Sequence, residues 1–219
     1  MAMECQIAMN IHDIYRNVSP FFRKRRLDRF LQALSPQAED RILDVGGYPG
    51  DWQGVAIESR LTILNIHEIS LAAKGLADQY ELVVGDGTKL IYADKTFDIA
   101  FSNSVIEHLG TFEKQKAFAA EVRRVGKKLW IQTPARCFLI EPHLIAPLVH
   151  FFPKSIQRRL IRHCTVWGWL RKPTAQQVED FLSEVRLLSH REMVELFPDC
   201  EIFAEKVLGL TKSYVAIRC

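Results

Sequence analysis

The chain has 219 residues, 48% hydrophobic and 25% charged, with a formal net charge of +3. That is enough to bury a substantial core and short enough to expect one domain over 1–219. Five cysteines, with no C-x-x-C pair among them, suggest neither a disulfide framework nor a zinc ribbon. No basic-then-apolar leader opens the sequence and no window approaches a membrane span, so the expectation is a soluble, cytoplasmic protein.

Ser19-Pro20 predicts a helix start, followed by Leu27, Phe30, Leu31 and Leu34 at helical spacing with Arg23, Lys24, Arg25 and Arg26 on the solvent side. From Arg41 the pattern turns to short apolar runs, RILDV, LTILNI, ELVVG, FDIAFS and KKLWIQT. Helical connectors are expected at 52–59, 69–79 and 112–124, the last presenting Phe118, Val122 and Val125 on one face. This alternation predicts an α/β fold, a doubly wound and mostly parallel sheet covered on both faces. After Arg136 it is interrupted by about forty residues rich in Pro, aromatics and Arg, too long for an ordinary loop. A helical insert after the fifth strand, a cap or lid over 136–173, is expected there. Thr174-x-x-Gln177 and Ser189-x-x-Glu192 read as capping boxes opening further helices. EIFAEKVLGL and KSYVAIRC close the chain as an antiparallel strand pair.

The charge is uneven. Residues 136–172 hold seven Lys or Arg against the single acid Glu141, so this segment carries +6 and the remainder −3. Such asymmetry marks either a solvated face or an anionic partner. Ile156, Leu160 and Ile161 beside Arg158, Arg159 and Arg162 could form a basic amphipathic helix in peripheral contact with the inner face of a membrane. A lid over the active site is the plainer expectation, because Pro142, Pro147 and Pro153 break the segment before Lys154.

In a doubly wound sheet, ligands bind beyond the carboxyl ends of the strands. Those ends carry Asp44 with Gly46, Gly47 and Gly50, then Asn65, then Asp86 and Gly87, then Asn103 and Ser104. Small and polar residues at four successive strand ends favour an adenosine-type ligand. A nicotinamide dinucleotide, as in an NAD(P)-dependent oxidoreductase, fits less well, because G-x-G-x-x-G fails at Tyr48 and Asp51.

Through RILDVGGYPGDW, VVGDGTKL, the Phe-Asp pair of KTFDIAFS, and SNSVIEHL, residues 41–133 resemble the class I S-adenosylmethionine-dependent methyltransferases, in particular the type 11 group. The resemblance implies a Rossmann-like methyltransferase fold and S-adenosyl-L-methionine as cofactor. It implies Asp44 and Gly46 near the methionine end, Asn65 at the ribose, Asp86 and Gly87 at the adenine, and Asn103 or Ser104 beside the sulfonium. Two positions depart from the family: Tyr48 replaces the middle glycine of its loop, and Asn65 stands where a carboxylate is usual, with Glu68 as an alternative acid.

Methyl transfer to a hydroxyl needs a group to take its proton. His108, Glu107 and His143 are the candidates, His143 also as a residue that orients substrate. The scattered histidines show no metal-ligand spacing, so no metal is expected. The expected activity is methylation, most simply at oxygen, of a small molecule or a sugar- or lipid-linked acceptor. The alternative is a catalytically inactive cofactor-binding or partner-binding module of the same fold. Nucleic acid is disfavoured as a substrate because no N-P-P-Y motif is present.

Overall fold

The computed structural model describes residues 24–68 and 80–219. The cap at Ser19-Pro20, Arg23 and the helix expected over 69–79 lie outside the described residues. In chain order the strands are β1 (Arg41–Val45), β2 (Arg60–Asn65), β3 (Tyr80–Val84), β4 (Phe97–Asn103), β5 (Gly126–Pro134), β6 (Ile140–Glu141), β7 (Ala146–Pro147), β8 (Glu201–Val207) and β9 (Leu210–Arg218). The helices are α1 (24–34), α2 (Phe112–Val125), α3 (Lys154–Cys164), α4 (Val166–Arg171), α5 (Ala175–Glu184) and α6 (His190–Leu196). The described residues form two compact units, Phe30–Phe138 with Ser183–Cys219, and Leu139–Leu182 with 24–29.

The larger unit is built on a seven-stranded sheet in the order β3-β2-β1-β4-β5-β9-β8. β1 pairs in parallel with β2 and β4, β2 with β3, and β4 with β5, whereas β9 runs antiparallel to β5 and β8. The expected parallel sheet and antiparallel terminal pair are both present. Strand order reverses at β1, whose neighbours are β2 and β4, so a crevice is expected at the carboxyl ends of β1 and β4.

Successive side chains of a strand point to opposite faces, and β1 uses both. Leu43 and Val45 join the core that α2 and α6 complete with Phe118, Ala119, Val122, Val125, Met193 and Leu196. On the other face, Phe30 of α1 packs edge-on against Trp52, Phe101 and Trp130, at centroid distances of 5.9, 5.0 and 5.8 Å. Such aromatic pairs are each worth about 0.5–1.5 kcal/mol beyond their burial.

α2 covers 112–125 as the spacing predicts, capped by Thr111, whose hydroxyl accepts from Lys114 N at 3.2 Å. The Ser189/Glu192 capping box opens α6, and Thr174 with Gln177 makes the same reciprocal pair of bonds before α5. The helix expected at 52–59 is a correction. Only a 3-10 turn over Pro49–Asp51 forms, and the chain then runs through turns to β2. Gly54 lies at φ +76°, outside the helical path, and Trp52 is drawn into the core instead of heading an amphipathic face.

The smaller unit pairs β6 with β7 and gathers Leu144, Ala146, Val149, Ile161, Val178 and Leu182 into its own core. α3 begins directly after Pro153 and buries Ile161, while its Arg158 pairs with Glu179 and its Lys154 donates to Leu182 O at 3.0 Å. Thr165 joins α3 to α4, donating to Ile161 O at 2.7 Å and accepting from Gly168 N at 2.9 Å. A Cβ at Gly168 would lie 2.1 Å from Ile161 O, so the two helices meet only because that position has no side chain. Gly168→Ala is therefore expected to force α3 and α4 apart at a cost of about 1–3 kcal/mol. Thermal unfolding should show a midpoint several degrees lower, and an unchanged midpoint would contradict this packing.

Candidate active site

The carboxyl end of β1 supplies the site's first acidic residue. Asp44 is 1% exposed, and the indole N–H of Trp52 donates to its Oδ2 at 2.7 Å. Trp52 is itself fixed at 4.9 Å from Phe101. The loop then crosses directly over the carboxylate. Gly46 adopts φ +85°, and a Cβ at Gly47 would fall 1.8 Å from Asp44 Oδ2. Both turns need glycine. Gly50, by contrast, has nothing within 4 Å of an added Cβ, so packing does not require it.

Asn65, at the end of β2, is buried and turned towards this loop. Its amide nitrogen donates to Gly47 O at 3.1 Å and Gly46 O at 3.4 Å, while its oxygen accepts from His67 N at 3.3 Å. The side chain thus braces the loop through its carbonyls. Glu68 is exposed beyond it.

After β3, Asp86 accepts from both the backbone N and the hydroxyl of Thr88, each at 2.8 Å. These two bonds hold its carboxyl below the usual carboxylate range, with Lys114 adding a smaller attraction. Gly87 is fixed by packing, since a Cβ would lie 2.8 Å from Val45 and 2.9 Å from Phe118.

At the end of β4, Ser102 donates to Val45 O at 2.8 Å and so ties that strand to β1. Asn103 stands half-buried opposite Gln132 of β5. Ser104 takes the left-handed conformation, φ +58°, and is held there by donating from its hydroxyl to Gln132 Oε1 and from its N–H to Gln132 O. A 3-10 turn over Ile106–Leu109 follows. Glu107 is fully buried, and one oxygen accepts from Thr133 Oγ1 at 2.9 Å. The other oxygen is buried without a hydrogen-bond partner among the described residues. Such a group calls for a ligand or an ion to satisfy it. His108 is partly exposed, its Nδ1 3.6 Å from Glu184 Oε1. The turn is rigidly mounted: Gln115 of α2 donates to Ile106 O and Arg186 O, both at 2.9 Å, and Arg186 N donates to Glu107 O at 2.7 Å.

His143 belongs to the smaller unit. Its Nδ1 lies 2.8 Å from Glu141 Oε1, and Glu141 is anchored by Leu144 N at 2.6 Å. The structure thus brings Asp44, Gly46, Gly47 and Asn65 into one loop assembly, and places Ser104, Glu107 and His108 on one segment after β4. Trp52, Gln132 and Thr133 escaped the sequence reading. Gln132 and Thr133 follow the same rule as the other strand ends, applied to β5; Trp52 carried no comparable signal.

Residues 43–129 match the family profile described as a methyltransferase domain. Over that stretch the chain is similar to methyltransferase domains. The tRNA (carboxymethyluridine(34)-5-O)-methyltransferase of Saccharomyces cerevisiae is 28% identical over 124 residues, 54% of this chain and 43% of that protein. The chain spans less than half the length of the curated relatives it matches. The fold is shared with the 1,6-didemethyltoxoflavin-N1-methyltransferase of Burkholderia thailandensis, at TM-score 0.58 and 15% identity over 94% of this chain and 82% of that one. It is also shared with a SAM-dependent methyltransferase of Aquifex aeolicus, at TM-score 0.50 and 14% identity over 87% of both chains.

The residues at these strand ends suit the chemistry of S-adenosylmethionine. Asp44 is a buried carboxyl group beside a turn that glycines leave free of side chains. Asp86 remains ionised at the next strand end but one. The donors of Asn65 and of the Ser104 hydroxyl are already committed, to the loop and to Gln132. Trp52→Phe keeps the aromatic packing and removes the bond to Asp44, leaving a buried carboxyl oxygen without that donor, a loss worth about 1–3 kcal/mol. Calorimetry should therefore show S-adenosylhomocysteine binding about tenfold weaker, with the melting midpoint also lowered by several degrees. Unchanged affinity would show that the bond does not position Asp44.

Proposed function

We propose that the protein transfers the methyl group of S-adenosylmethionine to a hydroxyl of a small-molecule or sugar- or lipid-linked acceptor. The supporting observation is the segment after β4, where a left-handed Ser104, a buried carboxylate with one unsatisfied oxygen and a partly exposed His108 follow one another. The cofactor supplies a methyl group already activated on a sulfonium. Asp44, Gly46 and Gly47 bind its methionine end, and Asp86 its adenine. Asn65 contributes by holding the loop through Gly46 and Gly47, so ribose recognition passes to the exposed residues after it, Glu68 included. Asn103 and Ser104 border the transfer position. His108 takes the acceptor's proton, and Glu107 accepts a hydrogen bond from the acceptor through its unsatisfied oxygen.

Residues 136–173, which leave the sheet directly after β5, supply acceptor recognition, with His143 oriented for it by Glu141. The basic composition of this insert suits an acceptor presented at an anionic surface. No described helix is long and apolar enough to cross a membrane. The yeast relative is a tRNA 5-O-methyltransferase and the Burkholderia protein an N1-methyltransferase.

Incubation with methyl-labelled cofactor and a fractionated extract, followed by mass spectrometry, should place label on an oxygen of a small or lipid-linked product. Cofactor binding without incorporation in any fraction would instead establish the inactive-module reading. His108→Ala should lower turnover by about 10²–10⁴, the usual worth of a general base, with S-adenosylhomocysteine affinity retained. Undiminished turnover in that variant would remove His108 from the mechanism.

A further inference from the structure

Residues 142–172 contain Lys154, Arg158, Arg159, Arg162, Arg171 and Lys172 and no Asp or Glu. The fold uses two of these cations: Arg158 is paired with Glu179, and Lys154 donates to Leu182 O. The rest are exposed. The buried side of α3 is set by Ile161, with Lys154, Gln157 and Arg158 on the same turns, so Ile156, Arg159 and His163 fall on the opposite side. Arg162 and His163 of that helix line an open cleft of about 410 Å³ together with Trp169, Lys172, Gly168 and Pro173.

This cationic surface is also apolar. Trp169 is 68% exposed and Ile156 43% exposed, and Leu170 beside Trp169 is 47% exposed. Trp169 is held in place, its indole N–H donating to His163 O. An indole fixed at the surface among cations that form no ion pair among the described residues has the composition of a helix face lying in a lipid headgroup layer, where rings and aliphatic groups enter the boundary and cations meet phosphates.

We propose that the α3–α4 corner docks the protein on an anionic phospholipid bilayer, with Trp169 and Ile156 entering the interface and Arg159, Arg162 and Lys172 contacting headgroup phosphates. This deepens the proposed use of an acceptor presented at a surface. The docking itself is independent of cofactor binding, because all these residues lie in the smaller unit. Arg158, which looks equivalent in sequence to Arg159 and Arg162, is excluded by its pairing with Glu179.

Full-length protein is mixed with vesicles rich in phosphatidylglycerol or made of phosphatidylcholine alone, and partition is read by sedimentation. Binding is expected to the acidic vesicles only and to weaken as salt is raised. Loss of each cation should cost roughly fivefold in partition, so the triple variant Arg159→Gln, Arg162→Gln, Lys172→Gln should fall by about a hundredfold. Brominated acyl chains should quench tryptophan emission in the wild type, and Trp169→Phe should remove most of that quenching. Equal partition to both vesicle types, no partition at all, or a triple variant that binds like the wild type would each overturn the proposal. Partition of free phosphate or nucleotide to the same surface, without vesicle binding, would reassign it to a soluble anion and likewise overturn it. S-adenosylhomocysteine titrations on the same samples separate this outcome from failure of the methyltransferase reading: vesicle binding without cofactor binding would sink that reading and leave the docking intact.

Discussion

The candidate site depends on one buried polar group, the carboxyl of Asp44 at the end of β1. A polar group 1% exposed to solvent is costly unless hydrogen-bonded, and here the indole of Trp52 supplies a bond at 2.7 Å. Much of the surrounding structure serves that arrangement. Phe30 and Phe101 hold the indole edge-on, and Gly46 and Gly47 let the chain pass over the carboxylate. Asn65 fixes the loop's carbonyls from β2, and Ser102 fixes Val45 from β4. Three adjacent strands thus converge on one turn of backbone at the point where strand order reverses.

The same logic explains how this loop departs from the methyltransferase pattern it resembles. Where a helix was expected at 52–59, the short connection forms a single 3-10 turn and places its tryptophan beneath the carboxylate. Asn65 does not have a carboxylate's acceptor pair, but it has an amide donor, and that donor reaches the loop. Tyr48, standing where a glycine is usual, points outward at 52% exposure and leaves the turn unobstructed.

The fold was legible in the sequence wherever a physical period governs it. Apolar runs marked β1 to β5, Phe118, Val122 and Val125 marked the buried face of α2, and Ser189 with Glu192 marked a helix start. The 52–59 segment was misread because its composition does not reveal that Gly54 leaves the helical region or that Trp52 turns inward. The site was legible as a set of strand ends, but the partners of those residues were not. Nothing in the order of residues joins Glu107 to Thr133 or Asn65 to Gly47; only the parallel register brings them together. The three arginines of α3 read alike in sequence, and tertiary pairing alone distinguishes Arg158.

The central claim is that this loop assembly holds a methionine-derived nucleoside and not a dinucleotide. Calorimetric titration of the intact protein with S-adenosylmethionine, S-adenosylhomocysteine and NAD tests it most directly. The account predicts saturable binding of both methionine nucleotides and no heat with NAD. Micromolar binding of NAD with no response to either methionine nucleotide would contradict it.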